Sequence, residues 1–393
     1  MRIDVAVLLC LSVLSTDVAA AQFKLNAKLS ELEQRARSDS NDPAAHFNVA
    51  LAYWNAKRWE DADRSLRTAI MLDARFAPAY IALNYLPYAR RASLWDEVHE
   101  QRVPEEWQAR MEESDRLFRQ AYIIDPFVEL RSGDVVTPRS ESYLQFLQQY
   151  FGEHIRDYYD GLDQYFKGDY QKAYDRFGRV LLAWNAEGHP DRVPANVYWW
   201  HGLSAARLEK WDEATTDFER LIDRSLEPTR TDSLVHMPLR TNEFRYILAN
   251  IKQRAGKTDE AIALYREAVT NDIGLYMAHV RLADLYEAAR KWPEAVESRR
   301  NAVNASPDDA TLLLDLGKTL AAAGQSEEAV SVLRQAATAN PRDPRSFLYL
   351  GLLLEQLGRK DEAKTALNQY VALAPSRYER QTAVAKQHLA ALQ

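Results

Sequence analysis

Four windows of the sequence, AGKTDEAIALYREAV (255–269), ARKWPEAVESRRNAV (289–303), AGQSEEAVSVLRQAA (323–337) and LGRKDEAKTALNQYV (357–371), align without a gap at a spacing of 34 residues. Ala261, Ala295, Ala329 and Ala363 share one column; Ala268, Ala302 and Ala336 share a second, where Tyr370 takes the fourth place. Tandem copies of one unit therefore run from Asn242 to Pro375. The segments are rich in Ala, Leu, Arg and Glu and lack strand alternation, so the period predicts a stacked helical repeat array whose units bury their cores only against their neighbours. Such arrays hold other molecules on an extended surface, which predicts a mode of action and leaves the partner unnamed.

The same pattern fades toward the N-terminus. A fifth unit, counted along the chain, keeps Ala249, Gly256, Tyr265 and Ala268; the fourth keeps Tyr198, Gly202, Trp211, Ala214 and Phe218. The third keeps Gly161, Gly168, Tyr170, Ala173 and Phe177, but Asp157 and Asp160 stand where apolar packing is needed. The second is broken: Tyr80 and Leu83 begin it, and Leu117, Phe118 and Ala121 resume it after an insertion around Ser93–Pro104. The first runs from Pro43 to Phe76, with Asp42 as N-cap and Pro43 in the first turn, where its missing N–H costs nothing. Leu25, Leu29, Leu32 and Ala36 predict a helix before it, and Tyr378, Ala385, Leu389 and Leu392 a helix after the last unit. Loops are expected over Val128–Arg139 and Ser225–Leu239, with an amphipathic helix from Ser140 to Leu147. Long connections of this kind are either surface excursions or walls folded across a groove.

In the sixth unit Leu282, Ala283, Tyr286, Ala295, Ala302 and Pro307 fall in order; in the seventh, Leu316, Gly317, Ala329, Leu333, Ala336 and Pro341; in the eighth, Leu350, Gly351, Ala363, Leu367 and Pro375. On these residues the chain resembles the tetratricopeptide repeat (TPR) family. The resemblance implies an all-α, right-handed superhelical solenoid of about eight helix-turn-helix units with a C-terminal capping helix. It divides the sequence into a signal peptide (1–21), the N-terminal helix with units 1 and 2, their insertion and the following loop (22–148), irregular units 3 and 4 (149–241), regular units 5 to 8 (242–375) and the cap (376–393).

The resemblance also implies that ligands lie against a concave wall drawn from fixed positions of each unit. Here those positions hold Phe47, Leu51 and Trp54, then Tyr85 and Tyr88, then Tyr158, Tyr165 and Phe166, then Trp199, then Tyr246, Asn250 and Arg254. Asn196, Arg207, Asp284, Glu287 and Lys318 extend the polar part. An aromatic run facing a groove suits an extended apolar peptide, a partner helix or a sugar ring, unless the inserts cover it as core. The polar half suits a peptide clamp, with Asn250 and Arg254 addressing backbone or carboxylate groups, or a solvated surface.

The remaining sequence bears on location and chemistry. Arg2, an apolar run from Val5 to Leu14 and the small residues Ala19–Ala21 predict a signal peptide cleaved after Ala21, although Asp4 is unusual there. The apolar run is shorter than the roughly 20 residues a membrane-spanning helix needs, so export to the periplasm or beyond is expected, with no stable transmembrane segment. The single cysteine, Cys10, lies in that leader, leaving no thiol for disulfides or metals. A net charge of −7 with mixed signs provides no basic stripe for nucleic acid.

No cofactor motif is complete: Gly256, Lys257 and Thr258 end like a phosphate loop, but Ile251 stands where its first glycine belongs. His99 and Glu100 lack the second histidine of a zinc protease motif, and His46, His201 and His279 fall on first helices where packing is expected. Asp157, Asp160 and Asp163 crowd one helix face, which reads as solvated, with a metal or acid/base site as the other reading. No catalytic residues are assigned. The expected function is a non-catalytic protein- or peptide-binding scaffold of the cell envelope; the alternative is a carbohydrate-binding subunit or an envelope enzyme using the aromatic half.

Overall fold

The computed structural model describes residues 28–90, 105–130, 154–186, 193–226 and 239–392. The leader, the insertion around Ser93–Pro104, the helix expected over Ser140–Leu147 and most of both predicted loops lie outside them. Among the described residues there are eighteen α-helices: α1 (Leu29–Ser38), α2 (Pro43–Asn55), α3 (Trp59–Leu72), α4 (Ala77–Arg90), α5 (Glu105–Ile124), α6 (Ile155–Phe166), α7 (Tyr170–Ala186), α8 (Ala195–Arg207), α9 (Trp211–Ser225), α10 (Thr241–Arg254), α11 (Thr258–Asn271), α12 (Tyr276–Ala288), α13 (Trp292–Ala305), α14 (Ala310–Ala322), α15 (Ser326–Ala339), α16 (Pro344–Gln356), α17 (Lys360–Leu373) and α18 (Glu379–Ala391). The chain is all-helical, in consecutive packed pairs.

One turn closes seven of these pairs. The second residue after the first helix takes a left-handed conformation at Lys57, Gly168, Glu209, Gly256, Arg290, Gly324 and Gly358. The following N–H reaches back five residues to a helix carbonyl, as in Lys291 to Tyr286, Gln325 to Leu320 and Arg359 to Leu354. This is the Schellman closure, which satisfies carbonyls that the helix end would leave bare. Glycine occupies four of the seven positions; Lys57, Glu209 and Arg290 adopt φ of 55–59° with a Cβ in place.

The small-residue columns explain how closely the helices approach. Ala261, Ala268, Ala295, Ala302, Ala329, Ala336, Ala363 and Tyr370 are each at most 1% exposed. A Cβ on Gly317 would lie 2.7 Å from Leu333 Cγ, and one on Gly351 would lie 2.7 Å from Leu367 Cγ. First and second helices therefore touch with no room for a methyl group, so the glycines follow from packing as well as from the repeat. Asp42 accepts from the Ala44 N–H at 3.0 Å and caps α2 as expected.

The described residues fall into two compact units. The first contains residues up to Ala52, Arg64–Phe76 and Ile273–Gln393. Within it α12 to α17 pack pair on pair, and α18 lies on α17 with Ala385 and Leu392 buried in the core. The inter-repeat loops of the first repeat join those of the last ones. Asn41 donates to the Leu373 carbonyl, Asn340 to the Leu72 carbonyl, and Arg342 to Asn41 and Ser40. Asp39 accepts from the Ser376 N–H and hydroxyl, and Arg377 pairs with Asp42 at 3.1 Å.

The second unit contains Tyr53–Asp63 and Ala77–Asp272. Here α4 pairs with α5, and α6 to α11 stack in order. The longer α5 also reaches α10, where Arg119 pairs with the buried Glu243. That ion pair, with the Phe118 and Tyr122 contacts to Trp199, sets α5 against the first helices of the fourth and fifth repeats.

Candidate functional site

Most of the wall expected to line a groove is packed inside. Phe47, Leu51, Trp54, Tyr165, Trp199, Tyr246 and Asn250 are buried, Tyr85, Tyr158 and Phe166 are half-buried, and only Arg254 is exposed. The side chain of Tyr88 lies outside the described residues. Phe47 meets Phe76 edge-on at 5.4 Å, and Trp54 meets Trp59 at 6.5 Å. Phe118 and Tyr122 of α5 contact Trp199 at 6.2 and 4.9 Å; Trp200 contacts Tyr165 and Phe166 at 5.1 and 5.5 Å. The broken second repeat covers Trp199, because α5 supplies the apolar surface that this ring would otherwise lack. Asn250, expected to address a partner, donates its amide to the Tyr246 carbonyl of its own helix.

On this aromatic floor lies a segment of the chain that the sequence pattern reads as the start of a loop. Asp125 ends α5 and accepts from the Phe127 N–H at 2.9 Å, forming a turn that sends Phe127–Leu130 along the first helices. Phe127, Val128 and Leu130 are buried. Arg207 of α8 donates to the Phe127 carbonyl and pairs with the Glu129 carboxylate at 2.5 Å, and the Tyr170 hydroxyl donates to the same carboxylate. The Arg254 guanidinium lies 3.7 Å from the centre of the Phe127 ring, and that of Arg207 lies 5.6 Å from it. Burial works against the Arg207 charge, but the facing Tyr165 and Glu129 oxygens more than offset it and hold its pKa above the ordinary value. One side chain thus reads a backbone carbonyl and a carboxylate together, the chemistry of a clamp. Sequence reasoning assigned that role to Asn250 and Arg254 and placed Arg207 among the polar positions. It missed Phe127 and Glu129; the available signal was the Asp125-Pro126 turn followed by apolar, apolar, acidic and apolar residues.

The first unit carries a charged counterpart. Arg299 of α13 pairs with Asp284 at 2.6 Å and Glu287 at 2.9 Å, while the Thr319 hydroxyl donates to Glu287. Asp315 receives Arg75 from the first repeat at 2.5 Å and Lys318 at 3.3 Å. Burial alone would raise the Asp315 pKa; Arg75, Lys318 and Arg299 reverse that and hold its carboxyl well below the usual carboxylate range. Arg345 pairs with Asp343 at 2.8 Å and approaches Asp73 of the first repeat at 3.6 Å.

The other candidates resolve locally. Asp157 pairs with Arg176 and Arg179 at 2.6 and 3.0 Å, Asp160 with Arg176 at 3.4 Å, and Asp163 with Lys167 at 2.5 Å. His201 bonds Asp217 at 2.6 Å and stacks on Tyr174, and His46 bonds the Ser40 carbonyl. His279 is buried, and burial lowers its pKa. Gly256 and Lys257 form the turn between α10 and α11, and Thr258 begins the second of these helices. Among the described residues no three His, Cys, Asp or Glu side chains are placed to hold a metal ion, and no helix is long and apolar enough to cross a membrane.

Residues 236–373 match the family model described as the cilia and flagella-associated protein 70 C-terminal domain. No curated protein matches the chain. Similar solved structures include a thermophilic TPR protein of Thermus thermophilus, TTC0263 (22% identity, 48% of this chain and 95% of that one, TM-score 0.34). Others are MamA of Desulfovibrio magneticus RS-1 (18%, 46% and 93%, 0.36) and yeast Tom70 (13%, 93% and 91%, 0.40). A 34-residue period, a recurring left-handed turn between paired helices, glycine-to-leucine contacts inside the pairs and the family match over residues 236–373 all agree with the tetratricopeptide repeat resemblance of the sequence.

Proposed function

We propose that the chain is an exported, non-catalytic scaffold of the cell envelope that binds protein in extended form on the face made by the first helices of its repeats. The observation that carries this reading is Arg207, which holds a backbone carbonyl and a carboxylate of an extended segment on that face. A face that satisfies one extended chain has donors at the spacing another would need. The leader residues Arg2, Val5–Leu14 and Ala19–Ala21 support export. Sugar stacking in the aromatic half would need accessible ring faces, and Tyr165 and Trp199 are enclosed.

Cross-linked co-purification of the mature chain from an envelope fraction tests the reading. Arg207→Ala and Arg254→Ala are expected to lose the captured protein while the circular dichroism of the helices is unchanged. Undiminished capture by both variants, or fractionation of the wild type with the cytosol, would contradict it.

A further inference from the structure

We infer that Phe127–Leu130 is a ligand held in cis, and that the first-helix face of the third to fifth repeats accepts in trans an extended peptide of the same pattern. That pattern is an aromatic residue followed two positions later by a carboxylate, with apolar residues at the second and fourth places. The inference rests on the proposed binding function and names the partner's chemistry.

The contacts are those of a recognition site rather than of a tether. The aromatic residue is read by cations from two successive first helices, Arg207 of α8 and Arg254 of α10, which lie 5.6 and 3.7 Å from the ring centre. The acid is read by Arg207 at 2.5 Å and by the Tyr170 hydroxyl, and the backbone between them by Arg207 at the Phe127 carbonyl. The apolar places are enclosed, since Val128 and Leu130 are buried. Every position of the four-residue stretch is thus discriminated by a side chain or by burial. The stretch has no regular secondary structure, so its hold comes from these contacts and not from a helix or sheet that would persist without them. Arg119 and Glu243 fix α5 on α10 independently, so the face and its flanking helix remain when the stretch leaves.

A tethered ligand competes through its effective concentration, which for a short connection is on the order of millimolar. A segment with an intrinsic dissociation constant of about 100 μM would then keep the site closed roughly ten to one, and a free peptide would bind about tenfold more weakly than its intrinsic affinity. Removing the tethered acid should restore that factor.

The test uses the full mature chain and the fluorescein-labelled peptide DPFVEL, read by fluorescence anisotropy. Glu129→Gln and, separately, Phe127→Ala are expected to bind the peptide about tenfold more tightly than the wild type. Adding Arg207→Ala to either should abolish binding, and the peptide DPFVQL should bind no variant. Glu129→Gln leaves the buried ring in place, so it reports even if Phe127→Ala melts early. Equal affinity of Glu129→Gln and the wild type would overturn cis occupancy, as would absence of binding to Glu129→Gln. If that absence is accompanied by Arg207-dependent capture of an envelope protein, the scaffold reading stands and only the peptide pattern fails; loss of both overturns both.

Discussion

Each unit of the chain places one of its own segments against first helices, and the two do so with different chemistry. In the first unit the occupant is a guanidinium: Arg75 pairs with Asp315 inside a cluster that already contains Arg299, Asp284, Glu287 and Lys318. In the second unit the occupant is a short extended stretch, with the Phe127 ring between two arginines and Glu129 on Arg207. The charged cluster couples residues brought together from distant repeats, so it stabilises the unit. The clamp holds a stretch without regular structure. On the proposed reading the charged cluster serves as frame and the clamp as the face where specificity resides.

The largest expected effect breaks the frame. Asp315→Asn leaves Arg75 and Arg299 facing a neutral group, and removing one partner of a largely buried pair costs about 3 kcal/mol of stability, measurable by urea denaturation. Because the folded pKa of Asp315 lies below its unfolded value, its stabilisation is complete above about pH 4 and is lost as pH falls below that range. The wild type should therefore approach the variant as pH drops toward about 3.

A second substitution measures how tightly each unit is packed. A Cβ at position 351 meets Leu367 at 2.7 Å, whereas one at 202 meets Asp217 and Phe218 at 3.0 Å. Gly351→Ala should cost about 2 kcal/mol by overpacking, and Gly202→Ala less, as read by thermal denaturation with both units followed separately. An equal or reversed order would contradict the closer packing at position 351. The smallest effect has the opposite sign. Arg290→Gly relieves a left-handed side chain at the shared turn and should stabilise the first unit by about 1 kcal/mol.

Much of the fold was legible because the core of a helical repeat array is written in short-range repetition. The columns containing Ala261 and Ala268, the Gly317 and Gly351 contacts and the Asp42 cap all involve residues within one repeat or its neighbour. The first-repeat contacts were not legible: Arg75 and Asp315 are 240 positions apart, and nothing local marks either as the other's partner. The same holds for the site. Positions that line a groove in a regular array pointed to Trp199, but the broken repeat folded α5 over it, and periodicity carries no record of an insertion's destination. Arg254, expected to address a partner, lies over the Phe127 ring of the chain itself.

Amide hydrogen exchange over Phe127–Leu130 tests most directly whether the Arg207 clamp holds an extended segment on the first-helix face. In the Arg207→Ala variant these amides should exchange about tenfold faster or more than in the wild type, as loss of a charge-assisted hydrogen bond predicts, while α14 to α17 keep their protection. Equal exchange of Phe127–Leu130 in the two proteins would contradict the account.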